Sequence, residues 1–362
     1  MHNSACPRIQ EYVNLRPFNT LRFDVAARYF AVARSASEIV ALLNEKTVLE
    51  NDIFVLGGGS NVLFSTDFNG IVIKIEIPGK TVIFEDDDYV ELAIGAGEDW
   101  PSVVEFVVSK GWGGIENLAM VPGTAGAAPV NNIACYGHNL HESLVWVESL
   151  DLNSGTITRL AVDECAFGYR TSIFKKELRG RHIVVRICLR LRKNPILNTS
   201  YTSRYESVYG EMASLGPPPY GVQDVFRAIV NIRKRKLPDV ATVGTVGSVF
   251  MNPVITAQQL KDIRVKCPDI HYYPAEHLIY GDNSNRDDTA TGRVKIPAAW
   301  LIEDMGLADK KIGQCGIWKT QPLNIVNYGG ATPGEYLEFL KMVRDEVYER
   351  YAVTLDPEVV II

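Results

Sequence analysis

The sequence lacks any paired-cysteine motif. Its cysteines are scattered without a CxxC pair or a regular spacing, at Cys6, Cys135, Cys165, Cys188, Cys267 and Cys315. Such a distribution predicts reduced thiols rather than a disulfide framework. His138 and His141 lie three residues apart, but no Cys or His cluster accompanies them in the sequence, so we expect surface histidines and no metal site.

Long apolar runs and an excess of basic charge are also missing. No stretch approaches the roughly 18 apolar residues of a membrane helix, and the first twenty residues lack the apolar segment of a secretion signal. Lys plus Arg number 37 against 43 for Asp plus Glu, which argues against a general grip on nucleic acid. We therefore expect a cytoplasmic protein without a membrane or nucleic-acid partner.

What is present suggests an α+β protein long enough, at 362 residues, for two or three domains. Strand-like segments alternate irregularly with a few amphipathic helices, which differs from a repeating βαβ series. Asp99 is placed to cap a helix that ends near Gly111, and Thr332 with Glu335 forms a capping box for a final helix. The stretch VVRICLRLR, residues 184–192, alternates apolar with mostly basic residues and predicts a half-buried strand.

Two glycine-rich stretches are candidates for ligand binding. The first, VLGGGSNVLF at 55–64, has neither the GK[ST] of a P-loop nor a GxGxxG that opens a helix, so it is either a hairpin turn or a different phosphate loop. The second, GWGGIENLAMVPGTAGAAPVNNIACYG at 111–137, is either a long ordered loop or a surface that packs against a large flat cofactor. Two such loops in one half of the chain favour a dinucleotide.

The order of several short motifs resembles that of the UDP-N-acetylenolpyruvoylglucosamine reductase family. These motifs run from about residue 19 to the C-terminus, as NTLRF, VLGGGSNVLF, GAGEDW, the second glycine-rich stretch, CAFGYRTSIFK, KLPD, GTVGSVFMNP and LDPEVVII. The resemblance implies a cytoplasmic enzyme of peptidoglycan precursor synthesis, with non-covalent FAD and with NADPH as reductant. Its substrate would be the enolpyruvyl ether of UDP-N-acetylglucosamine, and its product UDP-N-acetylmuramate.

The resemblance also implies the residues of the cofactor site. In the first loop these are Gly57, Gly58, Gly59, Ser60 and Asn61, along the FAD pyrophosphate. In the second loop they are Pro122, Gly123, Gly126, Asn132, Tyr136 and Gly137. The chain departs from the commonest pattern of the family by having Asn131 before Asn132 and Ala134-Cys135 before Tyr136.

For the reaction itself, the resemblance implies three catalytic residues. Hydride addition to the vinyl carbon leaves negative charge that needs stabilisation and a carbon that needs a proton. By the match, Arg170 faces the substrate carboxylate, Ser248 donates the proton, and Glu358 acts with Arg170. The apolar run VVII at 359–362 predicts a strand that holds Glu358 in place. Substrate contacts are implied at Tyr169, Lys236, Asn252 and Tyr201, with Tyr205 or Tyr209 as alternatives to Tyr201.

The same match suggests a division of the chain. We expect a two-lobed FAD-binding domain of the vanillyl-alcohol-oxidase/PCMH type at 19–194, with subdomains at about 19–80 and 81–194. An insertion or linker would follow at 195–221, and an α+β substrate-binding domain at 222–362 would return its last strand, 353–362, to the active site. Two other functions stay open: a related flavin oxidase of a sugar alcohol or lactone, and a non-catalytic sensor of sugar nucleotides. The first loop lacks the histidine that often holds flavin in such oxidases.

Overall fold

A computed structural model describes residues 6–202, 206–275 and 292–362. The first lobe contains, in chain order, β1 (Gln10–Asn14), β2 (Ala26–Ala33), α1 (Ala36–Leu43), α2 (Lys46–Leu49), β3 (Ile53–Leu56), β4 (Val62–Leu63) and β5 (Phe68–Ile75). Its sheet has the order β1-β2-β5-β3, in which β5 runs parallel to both β2 and β3. The first glycine-rich loop therefore leaves this sheet at the carboxyl end of β3.

The second lobe is built on a larger antiparallel sheet. Its elements are β6 (Lys80–Glu85), β7 (Tyr89–Gly95), α3 (Trp100–Ser109), β8 (Ala134–Cys135), β9 (His138–Asn139), β10 (Leu144–Asp151), β11 (Ile157–Ala161), β12 (His182–Arg192), α4 (Val208–Leu215) and α5 (Val222–Lys236). The strand order is β11-β10-β12-β7-β6. The expected cap of α3 is confirmed, because the Asp99 carboxylate accepts a hydrogen bond from the backbone N–H of Ser102 at 3.0 Å.

In its described residues, the C-terminal part combines short strands with three α-helices. It contains β13 (Gly244–Ser248), β14 (Val254–Thr256), α6 (Ala257–Lys266), β15 (Tyr273–Pro274), β16 (Arg293–Lys295), α7 (Ala298–Asp304), β17 (Lys311–Ile312), β18 (Cys315–Ile317), β19 (Asn324–Asn327), α8 (Pro333–Tyr351) and β20 (Val360–Ile361). The predicted capping box of α8, Thr332 with Glu335, is confirmed. Short 3-10 helices elsewhere span Arg16–Phe18, Glu116–Leu118, Leu140–Glu142, Val162–Cys165 and Ile173–Lys175.

Two features of residues 195–236 differ from the sequence-based division. The expected linker contains α4, which Ser207 caps at its first turn. Helix α5, expected at the start of the C-terminal domain, packs in the core of the second lobe instead, where Val225, Ile229 and Ile232 are buried. Apolar residues recur at helical spacing in this segment and predict the helix, at Val222, Val225, Phe226, Ile229 and Val230. Such a stripe does not say which core the helix will cover.

The alternation predicted for VVRICLRLR holds only in part. Its arginines are exposed, as expected, but Cys188 is fully buried on the face predicted to be open. The reason is Trp146 on β10, the strand next to β12, because its ring packs with Ala93 over the Cys188 side chain. A large side chain from the adjacent strand thus covers part of the outer face of this sheet.

One apolar core joins the first lobe to the C-terminal part. Phe23 and Phe64 of the first lobe belong to the same buried cluster as Phe250 and Tyr336 of the C-terminal part. The rings of Phe23 and Tyr336 meet edge to face, 5.6 Å apart.

None of the helices in the described ranges is both long and apolar enough to cross a membrane.

Candidate active site

The two glycine-rich loops touch each other through their backbones. A Cβ atom on Gly58 would lie 2.8 Å from the Cα of Gly123, and one on Gly57 would lie 2.8 Å from the Thr124 hydroxyl oxygen. Gly126 is similarly confined, since its Cβ would lie 2.6 Å from that of Ala96. The glycines are required because any side chain at these positions would push the loops apart.

The first loop also has the chemistry of an anion site. Within the described residues, the backbone N–H groups of residues 58–61 donate to no protein acceptor. Consecutive free N–H groups form a concave site that suits phosphate oxygens. Gly58 and Pro122 are exposed where the two loops meet, and the Ser60 hydroxyl lies close to Gly123. These residues therefore fit the pyrophosphate of a dinucleotide.

Gly59 has the most restricted position in the first loop. Its φ is +66°, and a Cβ there would lie 1.9 Å from the carbonyl oxygen of Phe18. We expect Gly59→Ala to lower the free energy of unfolding by about 3 kcal/mol or more, from left-handed strain combined with a backbone clash. Urea denaturation measures this loss.

Gly111→Ala is the matched control for that substitution. Its φ is +76°, but no atom lies within 4 Å of the Cβ position. Only the strain of about 1–2 kcal/mol should appear there. Equal losses in the two variants would show that the contact with Phe18 is unimportant.

The second loop is held by its own polar groups. The buried Asn132 amide donates to the carbonyl of Gly168 at 3.2 Å, and its side-chain oxygen accepts from the N–H of His141. The Tyr136 carbonyl accepts from Asn117 at 2.7 Å. Burial raises the pKa of Tyr136, so its hydroxyl stays neutral. Asn132 and Tyr136 thus fix the shape of the loop from within.

Gly137 and Cys135 of the second loop are also held by hydrogen bonds. Gly137 has a φ of +79°, and its carbonyl accepts a hydrogen bond from Asn198 at 2.8 Å. The thiol of Cys135 donates to the Asn117 carbonyl, and burial raises its pKa, with Arg233 and Arg170 opposing that rise.

His138 and His141 are half-buried rather than on the surface, and His138 bonds the Ser143 hydroxyl at 3.1 Å. The described ranges contain no group of acidic, His and Cys side chains able to hold a metal.

Arg170 and Glu358 form the centre of the candidate site. The Arg170 Nε lies 2.9 Å from the Glu358 Oε1, and both side chains are largely buried. Asn131 donates to the same oxygen at 3.0 Å. Burial acts to lower the pKa of Arg170, but the neighbouring Glu358 carboxylate, together with Tyr169 and Cys135, outweighs it, so the pKa lies above its usual value. Arg170 is therefore a permanent cation in a sheltered place.

The C-terminal segment positions Glu358 by backbone pairing. The Glu358 N–H donates to the carbonyl of Val249 at 2.7 Å, next to Ser248. Strand β20 then pairs in parallel with β4, directly after the first glycine-rich loop. The Asn61 carbonyl accepts from Val360, and the Asn61 amide reaches the Glu358 carbonyl at 3.5 Å. Glu358 thus stands where both lobes and the C-terminal part meet.

Ser248 and one predicted substrate contact, Asn252, lie on the C-terminal part. Ser248 ends β13 opposite Asn324 and is half-buried. The N–H of Asn252 donates to the Tyr169 hydroxyl at 3.4 Å, and its side-chain oxygen accepts from Ala298. Tyr169 precedes Arg170, so these contacts bring Asn252 towards the second lobe.

Two predicted contacts remain, Lys236 at the end of α5 and Tyr201 before α4. The Lys236 ammonium is 3.0 Å from a carboxylate oxygen of Glu206. The ring of Tyr201 meets that of Tyr136 edge to face at 5.1 Å. Tyr209, the described alternative to Tyr201, is mostly exposed and contacts Tyr220 instead. The other alternative, Tyr205, lies outside the described residues.

Two lysines near the site were not identified from the sequence. Lys175 donates to the side-chain oxygen of Asn131 at 2.8 Å and to the Arg170 carbonyl at 3.1 Å. Lys295 is buried, and its ammonium lies 4.5 Å from the centre of the Tyr169 ring. The signal for Lys295 was a single charge in the otherwise apolar segment around VKIPAAW.

Known protein families match both parts of the chain. A family model described as an FAD binding domain matches residues 27–161. A second, described as the C-terminal domain of UDP-N-acetylenolpyruvoylglucosamine reductase, matches residues 239–362. With the two glycine-rich loops, these matches place the chain among the FAD-dependent oxidoreductases.

Similar whole proteins narrow this class. The chain is 37% identical over 354 residues to UDP-N-acetylenolpyruvoylglucosamine reductase of Amoebophilus asiaticus, with 98% of this chain and 99% of that protein covered. It is 38% identical over 360 residues to the enzyme of the same name from Burkholderia mallei, with 98% of each covered. The chain therefore belongs to the UDP-N-acetylenolpyruvoylglucosamine reductase family.

The fold agrees with a solved structure of the same name. The crystal structure of UDP-N-acetylenolpyruvylglucosamine reductase from Thermus caldophilus matches with a TM-score of 0.63 at 20% identity, over 98% of this chain and 99% of that one. Together with the match to an FAD binding domain, this confirms the expected α+β fold with an FAD-binding domain.

Proposed function

We propose that this protein reduces UDP-N-acetyl-3-O-(1-carboxyvinyl)-glucosamine to UDP-N-acetylmuramate in the cytoplasm, as a step of peptidoglycan precursor synthesis. Its small-molecule partners are that sugar nucleotide and NADPH, and its acidic balance argues against nucleic acid as a further partner. The observation that carries the proposal is the buried pair of Arg170 and Glu358, 2.9 Å apart beside Ser248 and the glycine-rich loops.

FAD held by the two glycine-rich loops would supply hydride for the vinyl carbon of the substrate, with NADPH as its reductant. The chain's own task is to stabilise the negative charge that develops on the neighbouring carbon and its carboxylate. Arg170 is suited to this because it is a sheltered cation held by Glu358 and by the carbonyl of Ala134 at 3.2 Å. Fixed charge in a sheltered place needs little rearrangement during the reaction.

Ser248 supplies the proton that completes the reduction. It lies next to Val249, whose carbonyl holds the Glu358 backbone, so the proton donor and the acid–cation pair belong to adjacent segments. Glu358 keeps Arg170 oriented and helps to deliver the proton. Lys175 and Asn131 support this arrangement, because Asn131 donates to Glu358 while it accepts from Lys175.

The remaining contacts hold the sugar nucleotide. Lys236 binds the diphosphate as a cation, and Asn252 contributes its amide. Tyr169 closes the site beside Arg170, and Tyr201 covers it from the side of Tyr136. Gly57, Gly58, Gly59, Ser60 and Asn61 hold the FAD pyrophosphate, with Pro122, Gly123 and Gly126 across from them.

We expect the purified protein to be yellow, with FAD that acid or heat releases. The first glycine-rich loop contains no histidine to bond flavin covalently. NADPH should bleach the visible absorbance without oxygen, and the enolpyruvyl sugar nucleotide should restore it with formation of UDP-N-acetylmuramate. Absorbance spectra and product analysis measure this.

Three outcomes would contradict the proposal. Flavin that remains on the denatured chain would exclude the non-covalent site. Reduction by a sugar alcohol with reoxidation by oxygen would indicate an oxidase. Binding of the sugar nucleotide without any turnover would indicate a sensor.

A further inference from the structure

Lys236 is engaged by a carboxylate of its own chain. Its ammonium lies 3.0 Å from Glu206 Oε2, and the two side chains are only 21% and 12% exposed. A pair that is this sheltered interacts more strongly than one on the open surface. The positive charge of Lys236 is therefore already balanced by Glu206 before any phosphate binds.

The pair lies at the edge of the candidate active site. Glu206 is close enough to Tyr136, at the end of the second glycine-rich loop, for its charge to act on the Tyr136 hydroxyl. Tyr201 packs on the same ring. Arg233, one turn before Lys236 on α5, donates to the carbonyl of Met120 at 3.1 Å in the second loop. Glu206 thus occupies the approach to Lys236 from the side of the loop.

We infer, on the basis of the proposed function, that the Glu206 carboxylate competes with the substrate diphosphate for Lys236. A carboxylate and a phosphate are both oxygen anions, and they seek the same ammonium donors. A diphosphate placed beside Glu206 would meet a like charge, so Glu206 has to leave Lys236 when the nucleotide binds.

This competition has two physical consequences. Without substrate, Glu206 prevents a sheltered ammonium from standing unpaired, which would be costly. With substrate, the displacement of Glu206 subtracts from the binding energy of the diphosphate. Removal of the carboxylate should therefore tighten the binding of a diphosphate. If the carboxylate only positioned Lys236, its removal should weaken that binding instead.

The neighbouring residues provide a matched control. Arg235, the residue before Lys236 on α5, bonds Glu211 on α4 through two contacts of 2.9 and 2.6 Å. Arg235 is 59% exposed, and Glu211 is not a partner of Lys236. Glu211→Gln therefore removes the same charge nearby without freeing Lys236.

The test uses the FAD-containing protein and isothermal titration calorimetry with UDP and with uridine. For Glu206→Gln we expect about ten-fold tighter binding of UDP, as for the loss of one close charge competitor. The affinity for uridine, which lacks phosphate, should stay unchanged, and Glu211→Gln should bind UDP like the unmodified protein. Circular dichroism and FAD content should confirm that both variants fold.

Unchanged or weaker binding of UDP by Glu206→Gln would overturn the inference, as would equal tightening in Glu211→Gln. Lys236→Met separates this result from a failure of the proposed function. If Lys236→Met binds UDP normally, the assignment of Lys236 to the diphosphate fails, and the inference fails with it. If Lys236→Met weakens UDP binding while Glu206→Gln does not tighten it, only the competition is excluded.

Discussion

Glu358→Gln should yield a folded, yellow protein that NADPH reduces normally but that the enolpyruvyl sugar nucleotide reoxidises about 10³-fold more slowly. The substitution keeps the volume and the contact with Asn131, yet it removes the carboxylate charge opposite Arg170. Stopped-flow absorbance of the bound flavin separates the two half-reactions.

Asp356→Asn is the control on the same segment. Its side chain is exposed, while its carbonyl accepts from the Met251 N–H as part of the same backbone pairing. It should behave like the unmodified protein in both half-reactions. Near-normal turnover by Glu358→Gln would remove Glu358 from the mechanism and leave the C-terminal strand with a packing role alone.

Ser248→Ala should slow reoxidation by the substrate by about 10²- to 10⁴-fold and leave the reduction by NADPH nearly intact. Only the second half-reaction transfers a proton to carbon, so only that step needs the hydroxyl. The reduction step of the same variant serves as the internal control. An equal slowing of both half-reactions would show that Ser248 supports the structure of β13 rather than proton transfer.

Local patterns were sufficient for several elements of the fold. The caps of α3 and α8 are decided by residues within one helical turn, so the sequence contains all the necessary information. The apolar C-terminal run does contain a strand, but β20 covers only Val360–Ile361 of the expected 353–362, where it pairs with β4. The glycines of both loops were recognised from the sequence as candidates for ligand binding, but the contact of the two loops with each other was not predicted.

Other features depended on which surfaces meet. The stripe of α5 predicted a helix with a buried face, but only the folded chain shows that this face covers the second lobe. Cys188 was assigned to an open face, and the ring of Trp146 from the next strand covers it. Lys175 could not be chosen either, because its role follows from contacts with Asn131 and the Arg170 carbonyl.

The sequence by itself determined the family resemblance, the two glycine-rich loops and the identity of Arg170, Ser248 and Glu358 as candidates. These depend on short motifs, whose residue types and spacing are visible without a structure. The tertiary structure alone decided that Glu358 meets Arg170 at 2.9 Å and that Glu206 reaches Lys236. Both contacts join residues far apart in the chain, so they arise only when separate apolar surfaces pack and bring those segments together.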